Sequence, residues 1–270
     1  MSASLAMPRQ AFRTPLAIQV GYIARRSVIR TLRQPAIIVP GVTFPLFLLA
    51  VNAGGLDAAT HLPGFPTDSY LTFALAITFM QAALFATNAG GNDLAEDIRT
   101  GFLSRLSLTP LRGSALLAGQ LAGIVALGLF QAVVFISVGL AAGGKIEAGA
   151  PGVLVLIALS VLTGLAFGTV GMLIGLRTGS GEAVQGFFPL LFVMLFLSSM
   201  SLPRDLIEQD WFRTIATYNP VSYLIEGFRS LLIYGWDGEA LALGFGVATT
   251  IFVVALALSA RALQTRMVRT

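Results

Sequence analysis

Six stretches of the chain are apolar almost without interruption: Ala36–Ala53, Tyr70–Asn92, Ser114–Ala142, Pro151–Leu176, Ala183–Met200 and Ala240–Ala260. An α-helix rises 1.5 Å per residue, so a run of about 20 apolar residues covers the roughly 30 Å hydrocarbon core of a bilayer. No water reaches that depth, and the backbone must satisfy its own hydrogen bonds, which makes such runs helices. The pattern predicts an all-α integral membrane protein with six transmembrane helices.

The remaining segments depart from this pattern in two places. From Thr14 to Gln34, Thr14 can cap a helix and Pro15 suits its first turn. At 100° per residue Gln19, Arg26, Arg30 and Arg33 share one stripe, while Leu16, Val20, Ile23, Val28 and Leu32 spread over other faces. This reads either as a helix at the membrane surface, its arginines reaching phosphates or a partner, or as a basic arm that only sets topology. Between spans five and six, residues 201–238 are too polar to cross and too apolar for an ordinary loop. Pro203 opens a small helix with Leu206, Ile207 and Trp211 toward lipid and Arg204, Asp205, Glu208 and Asp210 toward water. Pro220 opens a second, through about Tyr234, on which Glu226 and Arg229 are spaced to pair near the interface. Two short helices dipping into the outer interface, a re-entrant hairpin, account for this pattern.

Proline and glycine punctuate the spans. Pro40 and Pro45 should kink the first, and the short fifth contains Pro189. Gly119 and Gly123 lie on the third. On the fourth, Gly164, Gly168, Gly171 and Gly175 form one small-residue stripe, expected to pack within the chain and alternatively between subunits.

Composition agrees with the spans: 56% of the 270 residues are hydrophobic, 11% are charged and the mean hydropathy is +0.82. Thirteen of the 17 basic residues fall in the N-terminal arm, in the loops after spans two and four, and in the tail, all on one side of a six-span chain. Basic flanks stay cytoplasmic, which predicts both termini inside. The basic arm extends too far before the first span for a signal peptide. There is no cysteine, and the single His61 has no partner histidine, so no metal site is expected. No basic surface interleaved with aromatics suggests nucleic acid. Glu182, Glu226 and the other acids form no catalytic constellation, and no catalytic residue is assigned.

The densest charged segment beside a span is Asp93–Pro110. Glu96 and Arg99 are spaced to pair on a helix, Gly101 can bend it, and Thr109-Pro110 ends it. It reads as a solvated loop, or as a short rigid helix docking a cytoplasmic partner through Leu103 and Leu106. The series Arg99-x-Gly101-x-Leu103-x-x-Leu106-x-x-Thr109-Pro110 resembles the loop motif of type-2 ABC exporter permeases, the family that includes daunorubicin-resistance-type and polysaccharide-exporting permeases. Trp211, followed by Asn219-Pro220-x-x-Tyr223-x-x-Glu226-x-x-Arg229, resembles that family's re-entrant hairpin before the last span.

The resemblance implies a permease that pairs with a second permease, identical or paralogous, and binds a separate ABC ATPase subunit, two copies or a pair, which carries ATP and Mg. It implies residues 1–34 as the N-terminal arm and connecting helix, and 35–270 as the six-span permease domain in the cell membrane, with a coupling loop at 93–113. ATPase coupling is then expected of Glu96, Asp97, Arg99, Gly101, Leu103 and Leu106, with Arg26 and Arg30. The chain itself lacks a phosphate-cradling loop ending in Lys-Ser/Thr, since its only lysine, Lys145, precedes Ile146. No cofactor is expected in this chain. Phe73, Phe79, Gln81, Phe188, Phe192 and Phe196, on the spans that line the route in that family, are candidate substrate-path residues, or aromatics packed against helices and lipid. The rival reading is a nucleotide-independent secondary carrier or channel. Lipid remains a partner on either reading.

Overall fold

A computed structural model of the chain describes residues 15–107 and 112–268, all helices and turns with no strand among the described residues. The α-helices are α1 Leu16–Leu32, α2 Pro35–Gly55, α3 Tyr70–Arg99, α4 Phe102–Ser107, α5 Gly113–Ala141, α6 Gly149–Thr178, α7 Gly181–Phe196, α8 Asp210–Tyr218, α9 Pro220–Arg229 and α10 Gly238–Val268. Five of them, α2, α3, α5, α6 and α10, are long and apolar enough to cross a membrane. The fifth expected span, Ala183–Met200, is apolar but its helix α7 stops at Phe196 after 16 residues, about 24 Å of rise. There Leu197 turns and Ser198 caps the Leu195 carbonyl through its hydroxyl at 2.5 Å. Conversely, α3 and α10 run on past the apolar limits at Asn92 and Ala260.

Helix α3 is the axis of the molecule, with 89% of its most apolar window buried, against 17% for the peripheral α2 and α10. Its first half buries large side chains such as Tyr70, Phe73 and Phe79, and its second half, rich in small residues, packs on α6 at backbone distance. A β-carbon at Gly171 would land on the Thr87 carbonyl, one at Gly175 would stand 2.5 Å from the Gly91 oxygen, and one at Gly91 would stand 2.8 Å from the Gly171 oxygen. The glycine stripe of α6 thus packs within the chain, except at Gly164, whose missing side chain leaves open space.

Pro45 cannot donate to the carbonyl four residues before it, and a bare carbonyl in hydrocarbon is costly. That carbonyl belongs to Gly41, and Gln131 of α5 donates to it through Nε2 at 2.9 Å. One buried amide thereby makes Pro45 tolerable inside α2.

Helix α1 corrects the expected orientation. It lies on α5, where Gly119 and Gly123 admit Ile23, Ser27 and Thr31. Its buried stripe is Gln19, Ile23, Ser27 and Thr31, and its apolar Ile18, Tyr22, Ile29 and Leu32 are exposed. The expected cap Thr14 lies outside the described residues.

Candidate functional site

At the end of α3 nearest α1, two acids one turn apart, Asp93 and Asp97, meet two arginines one turn apart. Arg26 donates to Asp97 through both terminal nitrogens, at 3.0 and 2.6 Å. Arg30 reaches Asp97 at 2.8 Å and Asp93 at 3.1 Å. Gln120 of α5 donates to Asp97 at 2.9 Å, Ser27 donates to Gln120 at 3.2 Å, and Gln34 donates to Asp93 at 3.3 Å. Asp97, 1% exposed, is therefore the hub of a three-helix network. A buried carboxylate is tolerated only when paired and hydrogen-bonded, as here. The same bonds hold the Arg26 guanidinium above its usual pKa, the hydrogen bond to Asp97 being the chief cause.

This geometry corrects three expectations. Arg26 and Arg30 turn inward to acids instead of outward to phosphates or a partner, because the carboxylates lie within reach of the inner stripe of α1. Asp97 offers no surface to a partner. Leu103, 8% exposed, packs with Leu94, Leu116 and Leu176, so it anchors α4 to the bundle instead of standing out as a knob. The side chain of Leu106, and Thr109 and Pro110, lie outside the described residues.

The outward face of the elbow consists of other side chains. Glu96 and Arg99 form a two-pronged pair, both bonds 2.8 Å, and Arg99 is exposed. Gly101 adopts φ +69°, the left-handed turn that breaks α3 from α4, with nothing within 4 Å of an added β-carbon. Arg105 then bonds back to the carbonyl of Thr100 at 3.0 Å. The ring of Phe102, the first residue of α4, lies 4.0 Å below the Arg26 guanidinium carbon. Arg26 consequently touches both α3 and α4.

In the outer segment Pro203 is followed by a single 3-10 turn, Arg204–Leu206, and α8 starts only at Asp210. Ile207 is buried instead of facing lipid, and Arg204 pairs with Glu226, its Nε 2.6 Å from the carboxylate. That pairing raises the Arg204 pKa. The spacing of Glu226 and Arg229 suggested that they pair with each other; they do not. Arg229, 3% exposed, donates to the carbonyls of Ser199 and Met200 at 2.7 and 2.6 Å and lies 3.6 Å over the Phe73 ring. It satisfies the carbonyls freed where α7 ends. Asn219 caps Val221 and donates to the Met194 carbonyl at 2.6 Å, fastening α9 to α7, with Pro220 in the first turn. Tyr223 donates to Thr217 at 2.8 Å, and Trp211 is exposed on α8. A π-helical turn, Ser230–Tyr234, extends α9.

The candidate path residues divide. Phe73, Phe79 and Gln81 are buried in the bundle, with Phe79 stacked on Phe228 at 5.3 Å. Phe188, Phe192 and Phe196 run along α7 as a ladder, joined by Phe85 of α3 at 5.0 Å from Phe188 and by Phe44 of α2 at 6.0 Å from Phe192. Phe196 is exposed.

Residues that sequence reasoning left aside are Asp93 as an ion-pair partner, Gln120, Gln131, Phe102 and Arg204. Two signals were available. Asp93 and Asp97 repeat the four-residue spacing of Arg26 and Arg30, and Gln120 and Gln131 are isolated amides in an apolar span, where polar groups find partners.

With the geometry described, known proteins place the chain. Residues 18–233, from α1 through the π turn, match the family model of the ABC-2 type transporter. Over 167 residues the chain is 26% identical to a daunorubicin resistance ABC transporter permease protein of Streptomyces coeruleorubidus, covering 62% of this chain and 59% of that relative's length. Over 226 residues it is 26% identical to a transport permease of Pyropia yezoensis, covering 82% of this chain and 76% of the relative.

Proposed function

The chain belongs to the ABC-2 type transporter family, and from that premise we propose that it is the six-span permease of an exporter driven by ATP in a separate subunit. Membership makes it a membrane-embedded permease and implies an ATPase partner in the transporter. The finer reading is that two permeases, identical or paralogous, assemble with two ATPase subunits in the cell membrane, both termini inside, and move a lipophilic or amphipathic cargo outward. The daunorubicin-resistance relative supports cargo of that kind.

The observation that carries the coupling reading is Arg26 bridging α1, the end of α3 and α4. Half-buried Glu96 and exposed Arg99 and Arg105 are suited to set the register of a docked ATPase, since rim charges fix orientation more than affinity. The buried Asp93–Asp97–Arg26–Arg30 network then moves α1 and α3 together.

The re-entrant reading of 201–238 is supported by lengths and tethers. Helix α9 has 10 residues and its π-helical extension 5, together at most about 22 Å of rise, short of the roughly 30 Å core. It begins beside Met194, near the end of α7, while Ala148, before the start of α6, donates to the Leu231 carbonyl at 3.1 Å. Both tethers belong to the same end of the bundle. The exposed end of the α7 ladder, at Phe196, supports a cargo route along that face.

Mass spectrometry of the tagged permease isolated from its native membrane tests the reading. An ATPase with a phosphate-binding loop should accompany it. A permease that purifies alone and transports without ATP is a carrier of another class.

A further inference from the structure

A cavity of about 760 Å³ opens between the α3–α4 elbow, the end of α6 and the last turns of α10. Leu103, Leu176 and Leu258 contribute apolar lining, Arg177, Arg261 and Arg266 contribute three guanidinium groups, and no acid among the described residues lines it. Its size falls in the range of small-molecule sites, about 300–1,000 Å³.

The arginines are placed by the fold. Gly179 ends α6 in the left-handed region at φ +70°, and the Arg266 guanidinium lies 3.1 Å from where its β-carbon would stand. A side chain at 179 would push that guanidinium away. Arg261 is the first charge after the apolar stretch of α10, and Arg177 the first after that of α6. Among the described residues neither takes part in an ion pair. Arg177 and Arg261 thus bring two like charges to one cavity, and a bound anion offsets them. The step from leucines to arginines along α6 and α10 also follows the step from acyl chain to phosphate in a leaflet.

We infer that this cavity binds the phosphate of an anionic phospholipid of the cytoplasmic leaflet, its glycerol end over Leu103, Leu176 and Leu258. Guanidinium groups engage phosphate oxygens by paired, charge-assisted bonds, and basic pockets between membrane helices on the cytoplasmic side suit such head groups. A zwitterionic head group carries its own cation, which three arginines disfavour. The leaflet assignment rests on the orientation proposed above. Cysteine labelling tests that orientation by itself, without reference to lipid binding, so the two can fail separately.

Native mass spectrometry of the delipidated full chain, titrated with phosphatidylglycerol, phosphatidylcholine or inorganic phosphate, tests the site. Phosphatidylglycerol should bind at one preferred site at least about tenfold more tightly than phosphatidylcholine. Arg177→Gln with Arg261→Gln should remove that preference, a loss of roughly tenfold. Arg25→Gln with Arg33→Gln, which removes equal charge from the exposed face of α1, should preserve it. The single Arg261→Gln, at an exposed position, serves if the double variant does not purify. The inference is overturned if the α1 pair weakens binding as much, if the cavity variants bind normally, or if inorganic phosphate displaces the lipid at comparable concentration, which would make the site one for free phosphate.

Discussion

Arg26 holds Asp97 with both terminal nitrogens, at 3.0 and 2.6 Å, deep enough that the carboxylate is almost wholly enclosed. Removing the acid strands two guanidinium groups. Asp97→Ala should therefore lower stability by about 3 kcal/mol, the low end for a broken buried pair because Arg26 remains partly in water. Asp97→Asn, which keeps hydrogen bonding, should cost less. Thermal unfolding of the detergent-solubilised protein measures both.

The bond from Gln131 to Gly41 exists because Pro45 has no N–H to give. Gln131→Leu should cost about 1–2 kcal/mol, the cost of a buried carbonyl left unpaired. In a Pro45→Ala background the restored N–H at 45 can take over, so the same substitution should cost clearly less. A double-mutant cycle on unfolding midpoints gives the coupling, and additive costs would separate Gln131 from Pro45.

Two glycines of α6 should behave oppositely. Gly171→Ala places a β-carbon on the Thr87 carbonyl, where backbone on both sides must shift, and should destabilise by several kcal/mol. Gly164→Ala meets nothing within 4 Å and should be neutral, or stabilising by up to about 1 kcal/mol through helix propensity. Equal losses at both positions would contradict the α3–α6 seam.

The chain has no cysteine, so introduced ones report topology cleanly. Cysteine at Glu147 should react with an impermeant thiol reagent from outside the cell, and cysteine at Thr100 should not. The reverse pattern would invert the orientation.

The helical architecture was legible because hydrocarbon enforces helices and apolar runs mark them. The end of α7 was not, since Leu197 continues the apolar run and the carbonyls there are taken by Ser198 and by side chains distant in sequence, Asn219 and Arg229. At the site, spacing located the Glu96–Arg99 pair but assigned Glu226 to Arg229. Arg204 is far away in sequence, and the carbonyls of Ser199 and Met200 are invisible to charge matching. For the same reason the arginine stripe of α1 read as facing outward. A basic stripe faces water or lipid unless acids await it, and Asp93 and Asp97 do so only once α1 has docked on Gly119 and Gly123.

On the function proposed above, the elbow docks the ATPase through outward-facing side chains and transmits its action through buried ones. The most direct measurement is ATP hydrolysis by the reconstituted permease–ATPase complex, with ATPase co-purification scored alongside, for Glu96→Arg and Asp97→Asn. Glu96→Arg should lose the ATPase subunit. Asp97→Asn should retain it at wild-type stoichiometry while its permease-dependent hydrolysis falls to the uncoupled level. Coupled hydrolysis intact in Asp97→Asn, or a lost subunit there with Glu96→Arg fully assembled, would contradict the account.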